Sequence, residues 1–415
     1  MLILLDCRPL QYAAGSGERA RWILSCTRDL SLKYGVEWLY IMDKKGDGGL
    51  RDLPEGSEGG AGTGGERWIL RSSLPGKAGW KLWYDWQIPR LAKKYRPDWV
   101  MTSGGVAAAG KTPQICWMPG DPGMMGSGKR ADRLAGKGLA GLYRKRLAGS
   151  LRAARGLFCF SEEAQLFLKG MLPTAGAGAN TPILVVPPAA GPAFAPLSME
   201  EREKAKLAYA GGKEYFFTEL TGAGEESVVN LLKAFSRFKK RQLSNMQLVL
   251  AGTAGGPSGG SVARAIEQRL ETYKYRQDIH LYPAWSPARD GQGMTGGAYA
   301  IVRPFGRVEP GLSIVEAWKA RVPVIGVSTD ARRLKGEGQD AGPLLVAGAD
   351  DPASLAEKLM MIYKDEALRS SLVERGAVRA EGLDWAQTAA AIWAVLSGPE
   401  DQGREGAKRL MLGNN

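Results

Sequence analysis

The sequence is poor in the residues that build metal centres and disulfide frameworks. Its 415 residues include one histidine and four cysteines, and the cysteines are scattered along the chain. Zinc sites and disulfide-rich secreted domains both need closely spaced clusters of these residues. We therefore expect no metal ion. We interpret Cys7, Cys26, Cys116 and Cys159 as reduced, mostly buried thiols of a cytoplasmic protein.

The chain also lacks long hydrophobic runs. A membrane-spanning helix needs about 18 or more consecutive apolar residues, and the sequence contains no such run. The N-terminal segment MLILLDCRPL becomes charged too early for a signal peptide and resembles a buried strand instead. These absences predict a protein without a membrane-spanning helix.

The sequence has fewer acidic than basic residues. Lys and Arg number 56 against 43 Asp and Glu, which gives a formal net charge of +13. Residues 129–155 contain nine basic residues, one acid and interleaved leucines. Such a basic amphipathic helix suits an anionic membrane surface at the inner face of the membrane, although a solvated helix face has the same pattern. Neither stacking aromatics nor a recognition motif accompanies the charge, so we expect no nucleic-acid partner.

Short apolar strands alternate with helical stretches along both halves of the chain. This alternation predicts α/β domains, each with a parallel sheet covered by helices on both faces. We place the domains at residues 1–190 and 197–383, followed by a helix at 384–397 and a flexible tail at 398–415. The predicted strands lie near residues 2–5, 37–42, 98–102, 114–118, 157–160 and 183–186 in the first half, and 214–218, 247–251, 279–282, 299–303, 323–327 and 344–346 in the second.

The segment from 301 to 327, IVRPFGRVEPGLSIVEAWKARVPVIGV, combines a strand, a Gly/Pro loop, a helix and a second strand. Backbone N–H groups of Gly311, Leu312 and Ser313 at the helix start suit a phosphate. The carboxylates of Glu309 and Glu316 can accept hydrogen bonds from sugar hydroxyls. An ordinary helix N-terminus, with Glu316 in a first turn favoured by the dipole and Glu309 in a solvated loop, is the alternative.

This segment resembles the donor-site signature of glycosyltransferase family 4, in the GT-B superfamily. Gly311-Leu312, Val315-Glu316-Ala317 and Val322-Pro323-Val324 carry the resemblance. It extends over most of the chain. Further matching stretches are Leu4 to Leu10 with Gly15-Ser16-Gly17, Trp83 to Pro89, Val185-Val186-Pro187, Leu248 to Gly252 and Asp384 to Thr388.

The resemblance implies two Rossmann-like domains facing each other across a cleft, with a C-terminal helix crossing back to domain one. It also implies sugar transfer with retention, from a UDP- or GDP-sugar co-substrate and without a metal ion or other cofactor. The donor would bind at Gly15, Gly17, Gly311, Leu312, Ser313 and Glu316. Asp121 and Glu309 would be the catalytic residues.

Four features of the sequence depart from the family pattern. Glu309 and Glu316 are seven positions apart where the family has eight, and Pro310 has no N–H to donate. Gly224-Glu225-Glu226-Ser227 stands where the family has two bases that hold the diphosphate, and Pro119-Gly120-Asp121 lacks the usual histidine. Our hypothesis is that Arg303, Arg307 or Arg321 restores the positive charge from another direction.

Two functions are therefore compatible with the sequence. The first is a retaining glycosyltransferase that acts on a glycan or lipid-linked acceptor in cell-surface polysaccharide or glycolipid synthesis. The second is a non-catalytic GT-B protein with a degenerate donor site, which binds a glycan, a lipid-linked sugar or a protein partner.

Overall fold

The computed structural model divides the chain into two compact units. One comprises residues 1–13, 20–187 and 385–415, and the other comprises residues 14–19 and 188–384. The structure describes residues 1–12, 16–44, 66–74, 76–118, 140–172, 181–220, 223–252, 260–283, 285, 287–304, 311–328 and 342–412.

The first unit is built on a seven-stranded parallel sheet of order β3-β2-β1-β4-β5-β6-β7. Its strands are β1 (Leu2–Asp6), β2 (Glu37–Asp43), β3 (Glu66–Arg71), β4 (Trp99–Thr102), β5 (Gln114–Trp117), β6 (Gly156–Cys159) and β7 (Ile183–Val185). Helices pack on it because the central strands are apolar on both faces, as the fully buried Ile3, Leu4 and Leu5 of β1 show. The strand order reverses direction between β1 and β4.

The helices of this unit follow the strands in the alternating order that the sequence predicts. They are α1 (Arg8–Tyr12), α2 (Ser16–Tyr34, of which residues 20–34 belong to this unit), α3 (Gly76–Leu82), a π-helix (Trp83–Gln87), α4 (Ile88–Tyr95), α5 (Ala140–Ala153) and α6 (Glu162–Met171). Ser161 caps α6 by accepting a hydrogen bond from the N–H of Ala164.

The four cysteines are buried thiols, as predicted. Burial raises the pKa of Cys116 to about 11, which keeps this thiol protonated and unreactive.

Strand β3 is the element that sequence analysis missed. It pairs with β2 at the edge of the sheet, where Trp68 lies beside Tyr40 with ring centroids 4.1 Å apart. Its sequence, ERWILR, is charged at both ends and follows a glycine-rich stretch. An edge strand needs fewer apolar residues than a central one, so its composition signal is weak.

The second unit has a six-stranded parallel sheet of order β10-β9-β8-β11-β12-β13, and all six strands lie where they were predicted. The strands are β8 (Tyr215–Glu219), β9 (Gln247–Ala251), β10 (Ile279–Tyr282), β11 (Ala300–Arg303), β12 (Val324–Ser328) and β13 (Leu344–Gly348). The helices are α7 (Met199–Ala210), α8 (Glu225–Gln242), α9 (Gly260–Glu271), α10 (Pro287–Gly296), α11 (Leu312–Lys319), α12 (Pro352–Lys364) and α13 (Glu366–Glu381). Here the order reverses direction between β8 and β11.

The C-terminal helix α14 (Trp385–Leu412) belongs to the first unit, as the GT-B resemblance implied. Trp393 stacks on Tyr34 with ring centroids 4.8 Å apart, and the carbonyl of Leu396 accepts a hydrogen bond from Trp99. The segment predicted as a flexible tail is helical as far as Leu412, after a break at Gly398. Good helix formers near the end of the chain, including Ala, Lys, Arg, Leu and Met, explain this difference.

Close packing against α13 positions helix α11. A Cβ atom at Gly376 would lie 2.6 Å from Cδ1 of Trp318, so only glycine fits at this contact. We expect Gly376→Ala to lower stability by about 1–2 kcal/mol, because overpacking outweighs the gain in helix propensity. Gly149, inside α5, faces open space, and Gly149→Ala should raise stability by about 0.5–1 kcal/mol. Urea denaturation of both variants measures the two changes in the free energy of unfolding. Equal changes of the same sign would contradict these predictions.

Candidate functional site

The carboxyl end of β11 carries Arg303, beside the point where the strand order reverses in the second sheet. Thr218, near the end of β8, donates its hydroxyl to the carbonyl of Val302, which ties the two strands together at this edge. Ligands of open parallel sheets bind at such switch points, outside the carboxyl ends of the strands. Arg303, with 17% of its side chain exposed, thus brings a positive charge to the expected ligand position.

Helix α11 begins at the same edge, after the loop that leaves β11. Gly311 is its N-cap in extended conformation, and the N–H of Ser313 lies in its first turn. Arg303 Nη1 donates to Ser313 Oγ at 2.5 Å, so the guanidinium lies directly at the helix N-terminus. The structure therefore brings Arg303 to Gly311, Leu312 and Ser313, the helix start that was predicted to contact a phosphate. A cation and the positive end of a helix dipole together favour an anion.

Glu18 completes this group. It follows Gly17 in the first turn of α2, and residues 14–19 belong to the second unit. Its carboxylate accepts hydrogen bonds from Arg303 and from the N–H of Ser313. Sequence analysis did not assign Glu18 a role. Its position in the sequence, directly after the predicted donor-site glycines Gly15 and Gly17, could have indicated that its carboxylate lies near the donor site.

Glu316 lies inside α11, past its first turn, and is 6% exposed. The explanation of Glu316 as a first-turn residue favoured by the helix dipole was therefore wrong, because the dipole effect fades beyond that turn. Burying a carboxylate is costly unless specific partners compensate it. Its burial one turn beyond Ser313 is compatible with a binding role at this edge of the sheet.

Arg321 follows the C-terminus of α11. It pairs with Glu374 at 3.3 Å and adopts a positive φ of 57°. An eight-residue helix is about 12 Å long, so Arg321 and Ser313 are separated by roughly that distance. Of the two proposed arginines that the structure describes, Arg303 lies at the helix N-terminus and Arg321 does not.

Glu225 and Glu226 occupy the first turn of α8, and both are exposed. Glu225 pairs with Arg269 at 3.3 Å, with about half of each side chain exposed. Acids at this position are favoured by the helix dipole, so their presence has a structural explanation that needs no ligand. The remaining predicted site residues, namely Gly15, Asp121, Arg307 and Glu309, lie outside the described residues.

A second polar group lies at the switch point of the first sheet. Asp6, at the carboxyl end of β1, is fully buried and accepts hydrogen bonds from Trp83 Nε1 at 3.0 Å and from the N–H of Arg8 at 3.2 Å. Burial raises the pKa of Asp6 from its ordinary value of 3.8 to about 6, and these two contacts only partly offset that cost. Sequence analysis quoted Asp6 only as part of a strand motif.

The apolar face of α5 packs into the core of the first unit. Tyr143, Leu147 and Leu151 are buried, while Lys145 and Arg152 are exposed. These three apolar residues are thus unavailable to a lipid bilayer, and membrane contact through this helix would rest on its basic side chains. Residues 129–139 of the same basic segment lie outside the described residues.

The described part of the chain was also compared with the requirements of a membrane-spanning helix and of a metal site. None of the helices there is long and apolar enough to cross a membrane. Likewise, no cluster of three or more His, Cys, Asp or Glu residues in the described ranges could hold a metal ion.

Comparison with known proteins gives this site its context. Residues 193–379 match the model of the family described as glycosyl transferases group 1. The match begins before α7, ends within α13 and includes Arg303, Gly311 and Glu316. Solved structures with the same arrangement of strands and helices cover nearly the whole chain. The protein has the GT-B fold.

Three solved structures illustrate how far this GT-B likeness extends. Sucrose-phosphate synthase from Thermosynechococcus elongatus is 14% identical, with full coverage of both chains and a TM-score of 0.68. Anabaena HepE in complex with UDP-glucose is 13% identical, with coverage of 96% of this chain and 99% of that one and a TM-score of 0.68. WaaG, a glycosyltransferase involved in lipopolysaccharide biosynthesis, is 14% identical, with coverage of 96% and 100% and a TM-score of 0.65. No curated protein matches the chain by sequence.

Proposed function

We propose that this protein is a retaining glycosyltransferase of family 4 that moves a sugar from a nucleotide-sugar donor to a glycan or lipid-linked acceptor. The observation that carries the proposal is the group at the carboxyl edge of the second sheet. There Arg303 meets the N-terminus of α11, and the buried Glu316 follows one turn later. This group lies inside the region that matches the glycosyl transferases group 1 model.

The site would act on the donor mainly through positioning and charge. The diphosphate would lie against Arg303 and the N–H of Ser313, where it gains negative charge as the sugar–phosphate bond breaks. A fixed guanidinium and a helix N-terminus stabilise that charge without reorganisation. Glu316 would accept hydrogen bonds from the ribose, while Asp121 and Glu309 remain the proposed catalytic residues.

UDP- and GDP-sugars are the proposed donors. Two observations support a nucleotide sugar: the group 1 match and the binding of UDP-glucose by the structurally similar HepE. The likeness to WaaG supports cell-surface polysaccharide or glycolipid synthesis. Such a protein would act in the cytoplasm, with the basic residues of segment 129–155 at the inner face of the membrane.

A specific observation favours a second candidate function. The carboxylate of Glu18 already accepts the N–H of Ser313 and the guanidinium of Arg303, the groups that a diphosphate would need. If this arrangement persists, the chain is a non-catalytic GT-B protein that binds a glycan or a protein partner elsewhere.

Calorimetric titration with UDP, GDP and their common sugar conjugates tests the proposed function. We expect saturable binding of one nucleotide and slow hydrolysis of its sugar conjugate. Glu316→Gln should weaken binding about tenfold, because charge-assisted hydrogen bonds to the ribose become neutral ones. Glu200→Gln is the control, because Glu200 is an exposed glutamate paired with Lys204 on α7. Absence of binding to all the nucleotides would favour the non-catalytic function instead.

A further inference from the structure

The carboxylate of Glu18 is bound in the manner of a phosphate. Oε1 accepts hydrogen bonds from Ser313 N at 2.8 Å, from Ser313 Oγ at 3.3 Å and from Arg303 Nη1 at 3.0 Å. Oε2 accepts one from Arg303 Nη2 at 3.2 Å. Two anionic oxygens held by a guanidinium fork and a helix N–H form the arrangement that proteins use for phosphoryl groups.

The surroundings of Glu18 leave room for its carboxylate only because residue 311 is glycine. A Cβ atom at Gly311 would lie 2.6 Å from Glu18 Oε1 and 2.8 Å from Arg303 Nη1. Gly311 has an ordinary φ of −76°, so the requirement is space rather than backbone conformation. Glycine at such a position permits close approach of an anion to the backbone.

The pair of Glu18 and Arg303 lies at the edge of the sheet where the proposed function places the donor diphosphate. Glu18 and Arg303 are 22% and 17% exposed, so the pair is accessible from solvent at the edge where ligands of parallel sheets bind. The contact also joins residues 285 positions apart in the chain. Because Glu18 uses the same N–H and guanidinium that the proposed function gives to the donor, both anions cannot be held there together.

We propose that Glu18 is an internal competitor for the donor diphosphate and thereby determines the affinity of the site. This inference rests on the proposed function. In this structure Glu18 neutralises Arg303 and caps α11. When a nucleotide diphosphate binds, its phosphate oxygens replace the carboxylate on Arg303 and Ser313, and Glu18 turns into solvent. Glu18 thus lowers donor affinity by the free energy needed to break its own four hydrogen bonds.

The test compares wild type, Glu18→Gln and Glu200→Gln by calorimetric titration with inorganic pyrophosphate, UDP and GDP. The glutamine has the same shape but no charge, so it holds Arg303 less strongly. We expect Glu18→Gln to bind pyrophosphate and the preferred nucleotide about tenfold more tightly than wild type. Glu200→Gln removes one negative charge from a helix first turn of the same unit and should leave both affinities unchanged.

The outcomes separate this inference from the proposed function. The competitor role would be overturned if Glu18→Gln bound pyrophosphate and the nucleotides no more tightly than wild type. It would also be overturned if none of the three proteins bound any of these ligands. An equal gain in Glu200→Gln would also overturn it, because the effect would then be one of general charge. Tighter pyrophosphate binding by Glu18→Gln without hydrolysis of any nucleotide sugar would support the competitor role and count against the transferase.

Discussion

Replacing Arg303 with alanine is expected to weaken binding of UDP or GDP about 100-fold. Arg303 supplies a guanidinium at the N-terminus of α11. The family's paired bases would lie at the start of α8, where this chain has Glu225 and Glu226 instead. Charge-assisted hydrogen bonds contribute about 1.5–3 kcal/mol, and about 2.7 kcal/mol corresponds to 100-fold in affinity. Calorimetric titration of the variant with the preferred nucleotide measures the loss.

Two comparisons make the Arg303 result specific. Arg303→Lys keeps the charge but loses the planar fork, so we expect it to bind with intermediate affinity. Arg67→Ala removes an exposed arginine paired with Glu37 in the first unit and should leave the affinity unchanged. Unaltered nucleotide binding by Arg303→Ala would show that the diphosphate is held elsewhere, and would remove the main support for the proposed donor site.

Replacing Asp6 with asparagine is expected to change how the stability of the protein depends on pH. Asp6 has a pKa of about 6 in the folded protein against an ordinary value of 3.8, because burial disfavours its charged form. Between these pH values the folded state holds more protons than the unfolded state. The stability of wild type should therefore fall as the pH rises from about 4 to about 7, and a shift of this size corresponds to about 3 kcal/mol.

Asp6→Asn has no proton to lose at this position, so this pH-dependent cost should disappear. Relative to wild type, the free energy of unfolding of the variant should therefore be about 3 kcal/mol higher at pH 7.5 than it is at pH 4. Urea denaturation across this range measures it. The exposed Asp350, whose φ of 59° also suits asparagine, provides the control variant Asp350→Asn. A pH-independent difference for Asp6→Asn would contradict the raised pKa.

Much of the fold could be predicted from local patterns. Within the described residues, twelve of the thirteen strands coincide with apolar runs of the sequence, because a strand buried on both faces must be apolar over its length. The helix that starts after Gly311 was predicted from a glycine followed by an apolar segment, and it begins at Leu312. The edge strand β3 and the helical residues beyond Gly398 were missed, since ERWILR is charged at both ends and residues 399–412 are rich in charged and polar residues.

The candidate site was only partly predictable. Gly311, Leu312 and Ser313 share one helix start, so their proximity follows from three consecutive residues. Arg303 was one of three arginines proposed on charge alone, and the sequence offered no way to rank it above Arg321. The structure separates the two because Arg303 donates a hydrogen bond to Ser313 at the start of α11, whereas Arg321 pairs with Glu374.

The sequence by itself determined the alternation of strands and helices, because hydrophobic periodicity depends on residues only a few positions apart. It also determined where α11 starts, because Gly311 precedes an apolar helical segment whose first N–H groups are left without partners in the helix. Only the tertiary structure decided which distant side chains meet there. Glu18 reaches Arg303 and Ser313 because contacts across nearly 300 residues depend on strand order and packing. The raised pKa of Asp6 likewise follows from its complete burial in the folded protein, which the hydrogen bond from Trp83, a residue far along the chain, only partly offsets.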